Sequence, residues 1–553
     1  MNARTLIPLL APLISTVLAA PSAPIDQIPA LIPQPVQADI KTGIPGFALE
    51  HGITIGTRTS QTPLGRAAIR ALQAAGVPVQ VDENAGELTL RQARGIAPEW
   101  YALEVTPEGI SITVNDPRAL PLAAQTLAQS TIQARDGQPA LPTMQIEDEP
   151  HMAYRGLMVD VSRHFRSVGE MKQIIRLMAR YKLNHLHWHL TDDQGWRIEI
   201  KQYPQLTAIG SKRPGTWDTI TRDHVNTRKP ESGYYTQQDI RDIVTYARER
   251  GITIIPEIEV PGHNCALLAA CPELGNSDIS SYAPSVACTF GVHDYVLAPK
   301  PETFRFLSNI FREVCDLFPD APYIHIGGDE APRTQWKQSP YAQQFMREHQ
   351  LNSEADIQRH FTHYCLEDLA RHNRRIIGWD EIQQDGTIDP SAIVMIWRDV
   401  KLAYPALQAG HQIILTPLPQ FYFDYGQGKT PKDPSYKPIN EHWNCDWAFV
   451  YAFDPDLPGL TPEQRSRILG IQGNLWSEYL HNYSKFQYML VPRLCALAEV
   501  AWLPKNKRNE ADFRQRLLGQ YPYFDSEQLN FREDDGTPRR DRAAMTRETP
   551  AEP

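Results

Sequence analysis

Residues 236–263 read TQQDIRDIVTYARERGITIIPEIEVPGH and contain one helix followed by one strand. Thr236 and Asp239 have the spacing of a capping box, which predicts a helix that runs from Gln237 to Arg250. The β-branched run over 252–260 then predicts a buried strand. Two acidic residues and a histidine lie at the end of that strand, so the unit predicts a strand with a polar carboxyl end.

The same alternation of strands and helices continues on both sides of this unit, over residues 151–510. Helices are expected from Gly169 and near 302–317 and 354–372. The seven further predicted strands are GLMVDVSR (156–163), LNHLHWHLT (183–191), YIHIGG (323–328), RIIGWDE (375–381), AIVMIWR (392–398), QIILTP (412–417) and GIQGNLW (470–476). Eight such units favour an α/β fold of the (β/α)8 TIM-barrel type as the catalytic domain. A doubly wound open sheet is the alternative, although no GxGxxG motif follows a strand.

A small α+β domain is predicted before the barrel, over residues 24–150. Short β-type runs alternate with turns there, a helix is expected over 119–132, and residues 21–40 have the composition of an extended lead-in. The predicted strands are ITI (53–55), LTL (88–90), YALEVT (101–106) and ISITV (110–114). We assign packing and support to this domain, and no chemistry.

Both ends of the chain have a distinctive composition. Residues 1–23 combine Arg4, an apolar run and small residues at the end, which is the pattern of a secretory signal peptide. An uncleaved anchor is the alternative, but the run is short for a membrane span. The mature protein is therefore expected in the periplasm or the medium, without a membrane span. The C-terminal segment 511–553 ends in a charged, Pro-rich stretch that predicts a disordered tail.

Composition excludes several classes of function. With 55 basic and 65 acidic residues the net charge is −10, and no basic stripe occurs, which argues against a nucleic-acid binder. None of the seven cysteines lies in a CxxC motif or a zinc spacing, so neither a metal nor another cofactor is predicted. Because export permits disulfides, Cys271 and Cys288 are predicted to pair.

Polar and aromatic residues follow nearly every predicted strand of the barrel. Chemistry in such barrels takes place at the carboxyl ends of the strands, so these residues predict one pocket. Acids, arginine, histidine and tryptophan together favour a carbohydrate ligand, since indole rings stack on sugars and carboxylates bind hydroxyl groups. His185, His187 and His189 leave a metal site open as an alternative, but packing and hydrogen bonding explain them better.

Asp329 and Glu330 are adjacent acids after two glycines at the end of a predicted strand. Burial and mutual repulsion should raise the pKa of one of them. Most glycosidases place two carboxylates on opposite sides of the scissile bond. Neighbours on one strand point in different directions, so this pair is poorly suited to that arrangement.

Five motifs together resemble the β-N-acetylhexosaminidases of glycoside hydrolase family 20. They are DVSRHF (160–165), HLTDDQGWR (189–197), PEIEVPGH (256–263), HIGGDE (325–330) and LWSE (475–478). The resemblance extends from about 150 to about 505, and the preceding domain fits that family's companion domain. It implies an exo-acting, retaining hydrolase of terminal N-acetylglucosamine or N-acetylgalactosamine. It also implies substrate-assisted catalysis, in which the substrate's acetamido oxygen forms an oxazolinium intermediate, so no enzymic nucleophile is needed.

The resemblance implies a role for each matching position. Glu330 matches the general acid/base, and Asp329 matches the residue that orients the acetamido group. Arg163 is expected to bind the outer hydroxyls of the sugar, with Asp192 and His263 supporting the acid. The other matches are Trp379, Trp397 and Trp447 as pocket walls, Tyr422 at the acetamido oxygen, and Asp424, Trp476 and Glu478 at the non-reducing end. Trp217 is a further candidate at the edge of the pocket.

Three other functions remain open. The first is a relative that releases a larger unit, such as a lacto-N-biosidase, which would need a roomier pocket near Asp424 and Glu478. The second is a non-catalytic glycan-binding protein, although binding alone does not require a buried acid. The third is a metal-dependent hydrolase built on the histidine strand. The sequence does not identify the natural glycan, the preference between N-acetylglucosamine and N-acetylgalactosamine, or the oligomeric state.

Overall fold

The computed structural model describes residues 21–83, 86–217, 228–384, 388–428, 433, 435, 445–534 and 536–540. Within these ranges the chain forms two compact units. The first contains the chain up to Glu149 except for Ala30–Gln34, and the second contains Ala30–Gln34 and the chain from Pro150 onward. The predicted signal peptide falls mainly on residues 1–20, which lie outside the described residues.

The first unit is built from a five-stranded sheet, a four-stranded sheet and a pair of strands, with three helices. Its strands are β1 (Pro21–Ile25), β2 (Gln37–Ile40), β3 (Ile44–Ala48), β4 (Ile53–Gly56), β5 (Val79–Asp82), β6 (Leu88–Gln92), β7 (Tyr101–Thr106), β8 (Gly109–Val114), β9 (Ile132–Gln133), β10 (Pro139–Leu141) and β11 (Met144–Asp148). The helices are α1 (Thr57–Ser60), α2 (Pro63–Ala74) and α3 (Leu120–Ser130).

The four predicted strands of this unit are confirmed as β4, β6, β7 and β8, and the predicted helix is confirmed as α3. The larger sheet has the order β2-β11-β7-β8-β6, and the smaller one has the order β1-β3-β10-β9. The lead-in over 21–40 was predicted to be extended, and both of its ends are extended strands. Its two ends are β1, which pairs with β3, and β2, which pairs with β11.

Eight parallel strands of the second unit close into a barrel, which confirms the predicted fold class and excludes the open sheet. In order around the barrel they are β12 (Tyr154–Asp160), β13 (His185–His189), β18 (Thr253–Glu257), β19 (Tyr323–His325), β20 (Arg375–Trp379), β21 (Ile393–Ile396), β22 (Gln412–Leu415) and β23 (Ile468–Leu475). The remaining strands of this unit form two short hairpins: β14 (Thr191–Asp192) with β15 (Gly195–Trp196), and β16 (Lys212–Arg213) with β17 (Glu231–Ser232).

The helices of this unit connect the barrel strands or follow the last of them. They are α4 (Val168–Arg180), α5 (Gln205–Ala208), α6 (Gln237–Arg248), α7 (Cys265–Ala270), α8 (Pro301–Leu317), α9 (Thr334–Gln338), α10 (Pro340–Glu348), α11 (Glu354–Arg371), α12 (Ala403–Gln408), α13 (Trp447–Tyr451), α14 (Pro462–Ser466), α15 (Tyr483–Leu490), α16 (Arg493–Trp502), α17 (Glu510–Gly519) and α18 (Tyr521–Ser526). Among the described residues, no helix is long and apolar enough to span a membrane.

The unit at 236–263 follows the sequence closely. Thr236 and Asp239 form the predicted capping box, in which each side chain accepts a hydrogen bond from the other residue's backbone N–H. The strand β18 ends at Glu257, but the chain stays beside its neighbour, because Ile258 N–H donates to the carbonyl of His325 (3.0 Å). This pairing carries the polar residues after Glu257 over the mouth of the barrel.

The interior of the barrel is filled by apolar side chains that share one buried cluster. Its fully buried members include Tyr154, Ile255, Ile377, Ile393 and Met395, with Trp379 at the upper end. Burying each large apolar side chain contributes about 1.5–3 kcal/mol. The polar residues above this cluster therefore stand on a packed floor rather than over a pore.

The predicted disulfide is wrong. Cys271 and Cys288 both carry free thiols, as do the other five cysteines. Cys271 is buried and accepts a hydrogen bond from Gln205 Nε2 (3.4 Å), whereas Cys288 is half-buried and its thiol contacts the carbonyl of Val286 (3.7 Å). The two thiols thus have different partners within the segment between α7 and α8.

The first part of the predicted disordered tail is ordered. Phe531 is buried, and Arg532 forms a β-bridge with Pro538. Arg539 binds the carboxylate of Asp525 (2.7 Å), which anchors this stretch to α18. The rest of the predicted tail, residues 541–553, lies outside the described residues.

Candidate active site

The predicted site residues gather at the carboxyl ends of the barrel strands. Asp160 is the last residue of β12, His189 of β13, Glu257 of β18 and Trp379 of β20. The segments after β19, β21, β22 and β23 supply the remaining groups: Asp329 and Glu330, Trp397, Tyr422 and Asp424, and Trp476 and Glu478. Seven of the eight strands had been predicted to end in polar or aromatic groups, and the structure brings those groups together.

The deepest part of the site is a set of side chains that we call the Glu257 cluster: Glu257, His187, His189, His325 and Trp379. Nε2 of His187 and Nδ1 of His325 lie 3.0 and 2.8 Å from the two oxygens of Glu257. Nδ1 of His189 also binds this carboxylate, and the indole N–H of Trp379 donates to it (3.0 Å). Every side chain in the cluster is buried.

Partners decide the charge of Glu257. Burial alone would raise its pKa, but His189, His325 and His187 hold the pKa of Glu257 well below its ordinary value. Burial opposes the charge of His189 as well, yet Glu257 and Asp192 raise the pKa of His189 well above its usual range. Burial lowers the pKa of His187 to about 4, so that imidazole is neutral. The cluster is thus built around an ion pair between Glu257 and His189.

Arg163 is held above this cluster by carboxylates on several sides. Its Nη2 lies 2.7 Å from Asp192, whose same oxygen is 2.8 Å from Nε2 of His189. Nη1 lies 3.5 Å from Asp160 and 3.7 Å from Glu478. Burial opposes the charge, but these three carboxylates raise the pKa of Arg163 well above its ordinary value. A fixed guanidinium with spare N–H groups suits the hydroxyls of a sugar.

His263 links the arginine side of the pocket to the adjacent acids. Its Nδ1 lies 3.0 Å from Asp193 and 3.5 Å from Asp192. On the other side of the ring, Nε2 lies 3.6 Å from Asp329 and 3.8 Å from Glu330. Burial would lower the pKa of His263, but Asp192 and Asp329 raise it well above the usual range. Asp193 is thus a nearer partner than the predicted Asp192.

Asp329 and Glu330 belong to a second set of side chains, the Asp329 cluster: Asp329, Glu330, Glu259, Glu381 and His263. Two glycines make the turn that presents the acids. Gly327 has φ +64°, and a Cβ there would lie 1.9 Å from Glu259 Oε2, so only glycine fits. Glu330 has φ +44°, a strained backbone conformation for a residue other than glycine.

The two adjacent acids occupy different environments. The side chain of Asp329 is only 13% exposed, and burial together with the charges of Glu257 and Glu330 raises the pKa of Asp329 to about 7 against the pull of His263. The side chain of Glu330 is 44% exposed and opens toward solvent. One acid can therefore act inside the pocket, and the other can reach a group that leaves it.

Two further acids of this cluster were not predicted as site residues. Among the described residues, neither carboxylate oxygen of Glu259 has a hydrogen-bond partner, and burial, Asp329 and Glu257 raise the pKa of Glu259 well above its ordinary value. Glu381 accepts a hydrogen bond from the indole N–H of Trp397 (2.9 Å). Burial and the charges of Asp329 and Asp380 raise the pKa of Glu381 to about 8.

Aromatic rings line the pocket between the two clusters. The Trp476 ring lies 5.8 Å from that of Trp379 and 6.4 Å from that of Tyr422, and the Arg163 guanidinium lies 5.1 Å from it. The ring of Tyr422 stacks at 6.0 Å on Trp397. Burial raises the pKa of Tyr422 well above its usual range, so its hydroxyl remains a hydrogen-bond donor. These rings offer flat apolar faces beside charged groups, as a sugar ring requires.

Glu478 and Asp424 lie on the Arg163 side of the pocket. Burial raises the pKa of Glu478 to about 7, and the charges of Asp160 and Asp424 act in the same direction against Arg163. Trp217, predicted as an edge contact, is buried behind Glu478, and its indole N–H donates to the Glu478 carbonyl (2.8 Å). Trp217 thus positions a pocket residue from behind.

Trp447 is the predicted site residue that the structure places elsewhere. It begins the short helix α13, and its ring packs 5.5 Å from Phe513 of α17 in the outer core. The prediction that it lines the pocket is therefore wrong. The insert before it caused the error, because it separates this tryptophan from the matching residue Asp424.

Several close groups of histidines and acids could in principle bind a metal ion. Within the described residues they are His187–Glu257–His325, His189–Glu257–Glu259, Asp192–Asp193–His263 and His263–Asp329–Glu330. The first is the set that the histidine strand suggested. Its carboxylate oxygens already have imidazole and indole partners at 2.8–3.0 Å, which accounts for the arrangement as a hydrogen-bonded network.

Comparison with known families and proteins agrees with this geometry. The model of the glycosyl hydrolase family 20 catalytic domain matches residues 152–505, and the model of domain 2 of that family matches residues 28–149. A β-hexosaminidase from Porphyromonas gingivalis is 39% identical over 457 residues, which cover 81% of this chain and 56% of that protein. A β-hexosaminidase from Vibrio furnissii is 36% identical over 428 residues, covering 75% of this chain and 67% of that protein.

The fold also matches a solved structure. The exo-β-N-acetylglucosaminidase from Vibrio harveyi in complex with N-acetylglucosamine has a TM-score of 0.81 and 31% identity. The match covers 93% of this chain and 80% of that one. The chain thus spans little more than half the length of the Porphyromonas relative, and a larger share of the other two.

Proposed function

The chain belongs to glycosyl hydrolase family 20, and from that premise we propose that it is an exo-acting, retaining β-N-acetylhexosaminidase. It releases terminal β-linked N-acetylglucosamine or N-acetylgalactosamine from a glycan. The names of its relatives, two β-hexosaminidases and an exo-β-N-acetylglucosaminidase, support the reaction. The retaining route and the intermediate rest on the arrangement of this chain's own acids.

The observation that carries the proposal is the pair Asp329–Glu330, adjacent in sequence but unlike in environment. Asp329 faces the aromatic pocket and Glu330 faces its exposed side. Two carboxylates that must flank one anomeric carbon are usually supplied from separate places. An adjacent pair suits a reaction in which one acid handles the leaving group and the other handles a nucleophile carried by the substrate.

In the first step the carbonyl oxygen of the 2-acetamido group attacks C1. The bond between C1 and the glycosidic oxygen breaks, and the carboxylic acid of Glu330 gives its proton to that oxygen. The product is an oxazolinium ring with a positive charge shared between nitrogen, carbon and oxygen. The carboxylate of Asp329 stabilises this charge and accepts a hydrogen bond from the acetamido N–H, while the hydroxyl of Tyr422 orients the acetamido oxygen.

In the second step water attacks C1 from the side that the leaving group vacated. The carboxylate of Glu330 takes a proton from this water, the bond between C1 and the acetamido oxygen breaks, and the acetamido group is restored. Two displacements at C1 give net retention. An internal nucleophile held in the reactive geometry corresponds to an effective concentration of about 10⁵–10⁸ M, which is why no enzymic nucleophile is required.

The test compares two aryl β-glycosides that differ only at C2, an N-acetylglucosaminide and a glucoside. We expect rapid hydrolysis of the first and no measurable hydrolysis of the second, and NMR should find the β-anomer as the first product. Comparable rates on both would refute the substrate-assisted mechanism. Activity lost with a chelator and restored by a divalent metal would favour the metal-dependent alternative instead.

We also propose that the protein is exported, with residues 1–23 as a signal peptide. The support is the pattern of a short basic start, an apolar run and small residues. Fractionation of cells that express the full chain, with N-terminal sequencing of the product, tests it. A shortened protein in the periplasm or the medium is the expected result, and a full-length cytoplasmic protein would refute the proposal.

A further inference from the structure

The pocket has one exposed end and one covered end. At the exposed end, the side chain of Glu330 is 44% accessible to solvent. At the other end, the side chains of Arg163 and Glu478 are only 9% and 13% accessible to solvent, although both are ionisable. Something other than solvent therefore lies behind the arginine and the glutamate.

The chemistry orients a sugar between these two ends. The general acid must reach the glycosidic oxygen on C1, and the leaving group must have a path out of the pocket. Both requirements place C1 beside Glu330, at the exposed end. The hydroxyl groups on the opposite side of the ring then face Arg163 and Glu478, at the covered end.

One layer of the cover comes from the loop between α7 and α8. Arg163 Nε donates to Gln194 Oε1 (2.8 Å), and Gln194 Nε2 donates to the carbonyl of Thr289 (3.3 Å). The same loop is attached one turn earlier, where the Ala287 N–H donates to the carbonyl of Asp193 (3.0 Å). The side chain of Arg163, which is proposed to bind the sugar, is thus connected to the loop between α7 and α8 through Gln194.

A second layer is aromatic. The ring of Phe290, next to Thr289, lies 5.6 Å from the ring of Tyr479, and both side chains are half-buried. Tyr479 directly follows Glu478, whose carbonyl is bound by the buried Trp217 (2.8 Å). The contact between Phe290 and Tyr479 joins the loop to the segment after β23, and each ring is one residue from a group tied to the Arg163–Glu478 pair.

We propose that the Phe290–Tyr479 contact is a specificity determinant that stops the glycan beyond its terminal sugar. A further sugar on the outer hydroxyls of the bound N-acetylhexosamine would have to pass through this contact. The substrate class is then glycans that end in an unsubstituted N-acetylhexosamine, and release of a disaccharide unit is excluded. This inference rests on the proposed function for the direction in which the substrate lies.

The experiment uses the full chain and the double variant Phe290→Ala/Tyr479→Ala. Two ligands are compared by quenching of tryptophan fluorescence: N-acetylglucosamine and a disaccharide with galactose β-linked to O3 of N-acetylglucosamine. The aryl β-glycosides of both are assayed in parallel, with mass spectrometry to detect release of the intact disaccharide. Val292→Ala, at an exposed residue of the same loop, is the matched control.

We expect the unaltered protein to bind and hydrolyse only the monosaccharide form. In the double variant the ratio of disaccharide to monosaccharide, for binding and for kcat/KM, should rise by at least about 10-fold, because the steric penalty against the larger ligand is removed. Val292→Ala should keep the original ratio. If the double variant does not fold, Phe290→Leu provides the same comparison with a smaller expected rise.

Two results would overturn the inference. One is equal binding of the two ligands by the unaltered protein, and the other is an unchanged ratio in a folded double variant. Failure of the unaltered protein to hydrolyse the aryl N-acetylglucosaminide would instead overturn the proposed function. The binding ratios would still decide whether the contact excludes the larger ligand.

Discussion

Glu257 and Glu259 lie two residues apart at the end of one strand, both buried, and their surroundings are opposite. Three imidazoles and an indole N–H surround Glu257, which stays ionised. Glu259 has no hydrogen-bond partner among the described residues and faces Asp329, so its acid form is favoured. Burial alone does not decide the charge of a carboxyl group; the partners supplied by neighbouring strands do.

The difference separates two tasks within one pocket. The Glu257 cluster is a network centred on one carboxylate that holds Trp379 and, through His189 and Asp192, Arg163. The Asp329 cluster is crowded with acids that share few donors, so protons can be held and released there. The side chains of the Glu257 cluster are held in fixed positions, and the acids of the Asp329 cluster are kept close to neutral.

The largest expected effect is on the exposed member of the Asp329 cluster. Glu330→Gln removes the proton donor, so kcat/KM should fall by about 10²–10⁴ for substrates with poor leaving groups. An activated aryl leaving group needs little protonation, and the loss should be smaller with it. The measurement compares a chitobiose-type substrate with a nitrophenyl glycoside. Equal losses on both would assign Glu330 to another role.

The comparison between Glu257 and Glu259 can be tested by one substitution at each. Glu257→Gln leaves a buried charged His189 without its main partner and should lower the free energy of unfolding by about 3–5 kcal/mol. Glu259→Gln removes an acid that has no partner and should change the free energy of unfolding by less than about 1 kcal/mol. Denaturant unfolding at pH 7, followed by tryptophan fluorescence, measures both.

The pH dependence of this contrast has a definite sign. The folded pKa of Glu257 is depressed, so its stabilising contribution is present above its ordinary pKa of 4.5 and is lost as the pH falls further. The deficit of Glu257→Gln should therefore shrink in acid. Equal deficits for the Glu257 and Glu259 variants at pH 7 would mean that the two environments are alike, and the comparison would fail.

The substitution Asp329→Asn should raise the stability of the protein and lower its activity. Its pKa is raised from 3.8 to about 7, so the acid form is favoured on folding and stability is lost as the pH rises through that range. Asp329→Asn removes this loss and should raise the free energy of unfolding above pH 7 by up to about 4 kcal/mol, since each pKa unit corresponds to about 1.36 kcal/mol. The gain should vanish near pH 4.

The same variant should lose activity on every leaving group, because in the proposed mechanism Asp329 acts on the acetamido group and not on the glycosidic oxygen. Unfolding curves at pH 4 and pH 8, with rates on the two substrates used for Glu330→Gln, measure both halves. A variant that is destabilised at both pH values would show that Asp329 is a structural partner of His263 rather than a strained reactive acid.

The sequence predicted those features that depend on local pattern. Strand ends, capping boxes and the five motifs located Arg163, Asp329, Glu330 and Trp476 on one face of a barrel, and the structure brings them together. Trp447 failed because an insert separates it from the motif residues, and spacing across an insert carries no positional information. Cys271 and Cys288 failed for a related reason, since closeness in sequence does not set the direction of a side chain.

What could not be predicted is which acids have partners. Asp192 and Asp193 are identical in type and adjacent, yet only the second lies within 3.0 Å of the His263 ring. Glu259 and Glu381 appear at strand ends like several other acids, and their pKa values are raised by burial and by the charge of Asp329 from another strand. The signal that could have identified Glu259 is the glycine at 327, whose missing side chain leaves room for its carboxylate.

The smallest expected effect concerns Glu381, which interacts with Asp329 through charge and with Trp397 through a hydrogen bond. Burial and the charges of Asp329 and Asp380 raise the pKa of Glu381 to about 8, and Asp329 and Glu381 repel each other when both are ionised. If the ionised form of Asp329 is the active one, kcat/KM falls as the pH drops through about 7. Glu381 is mostly protonated at that pH, so Glu381→Gln, which cannot ionise, should move this acid limb to lower pH by less than about 0.5 unit.

Glutamine keeps a carbonyl oxygen that can accept the hydrogen bond from Trp397, so the wall of the pocket and the KM at high pH should be nearly unchanged. Glu381→Leu removes that acceptor as well and should raise KM by about 10-fold, the scale of one hydrogen bond left unmade in a buried site. If the acid limb of the kcat/KM profile does not move in Glu381→Gln, and KM rises as in Glu381→Leu, the role of Glu381 is only to position Trp397. The proton-holding side of the pocket would then be Asp329 alone, and the contrast with the Glu257 cluster would rest on a single residue.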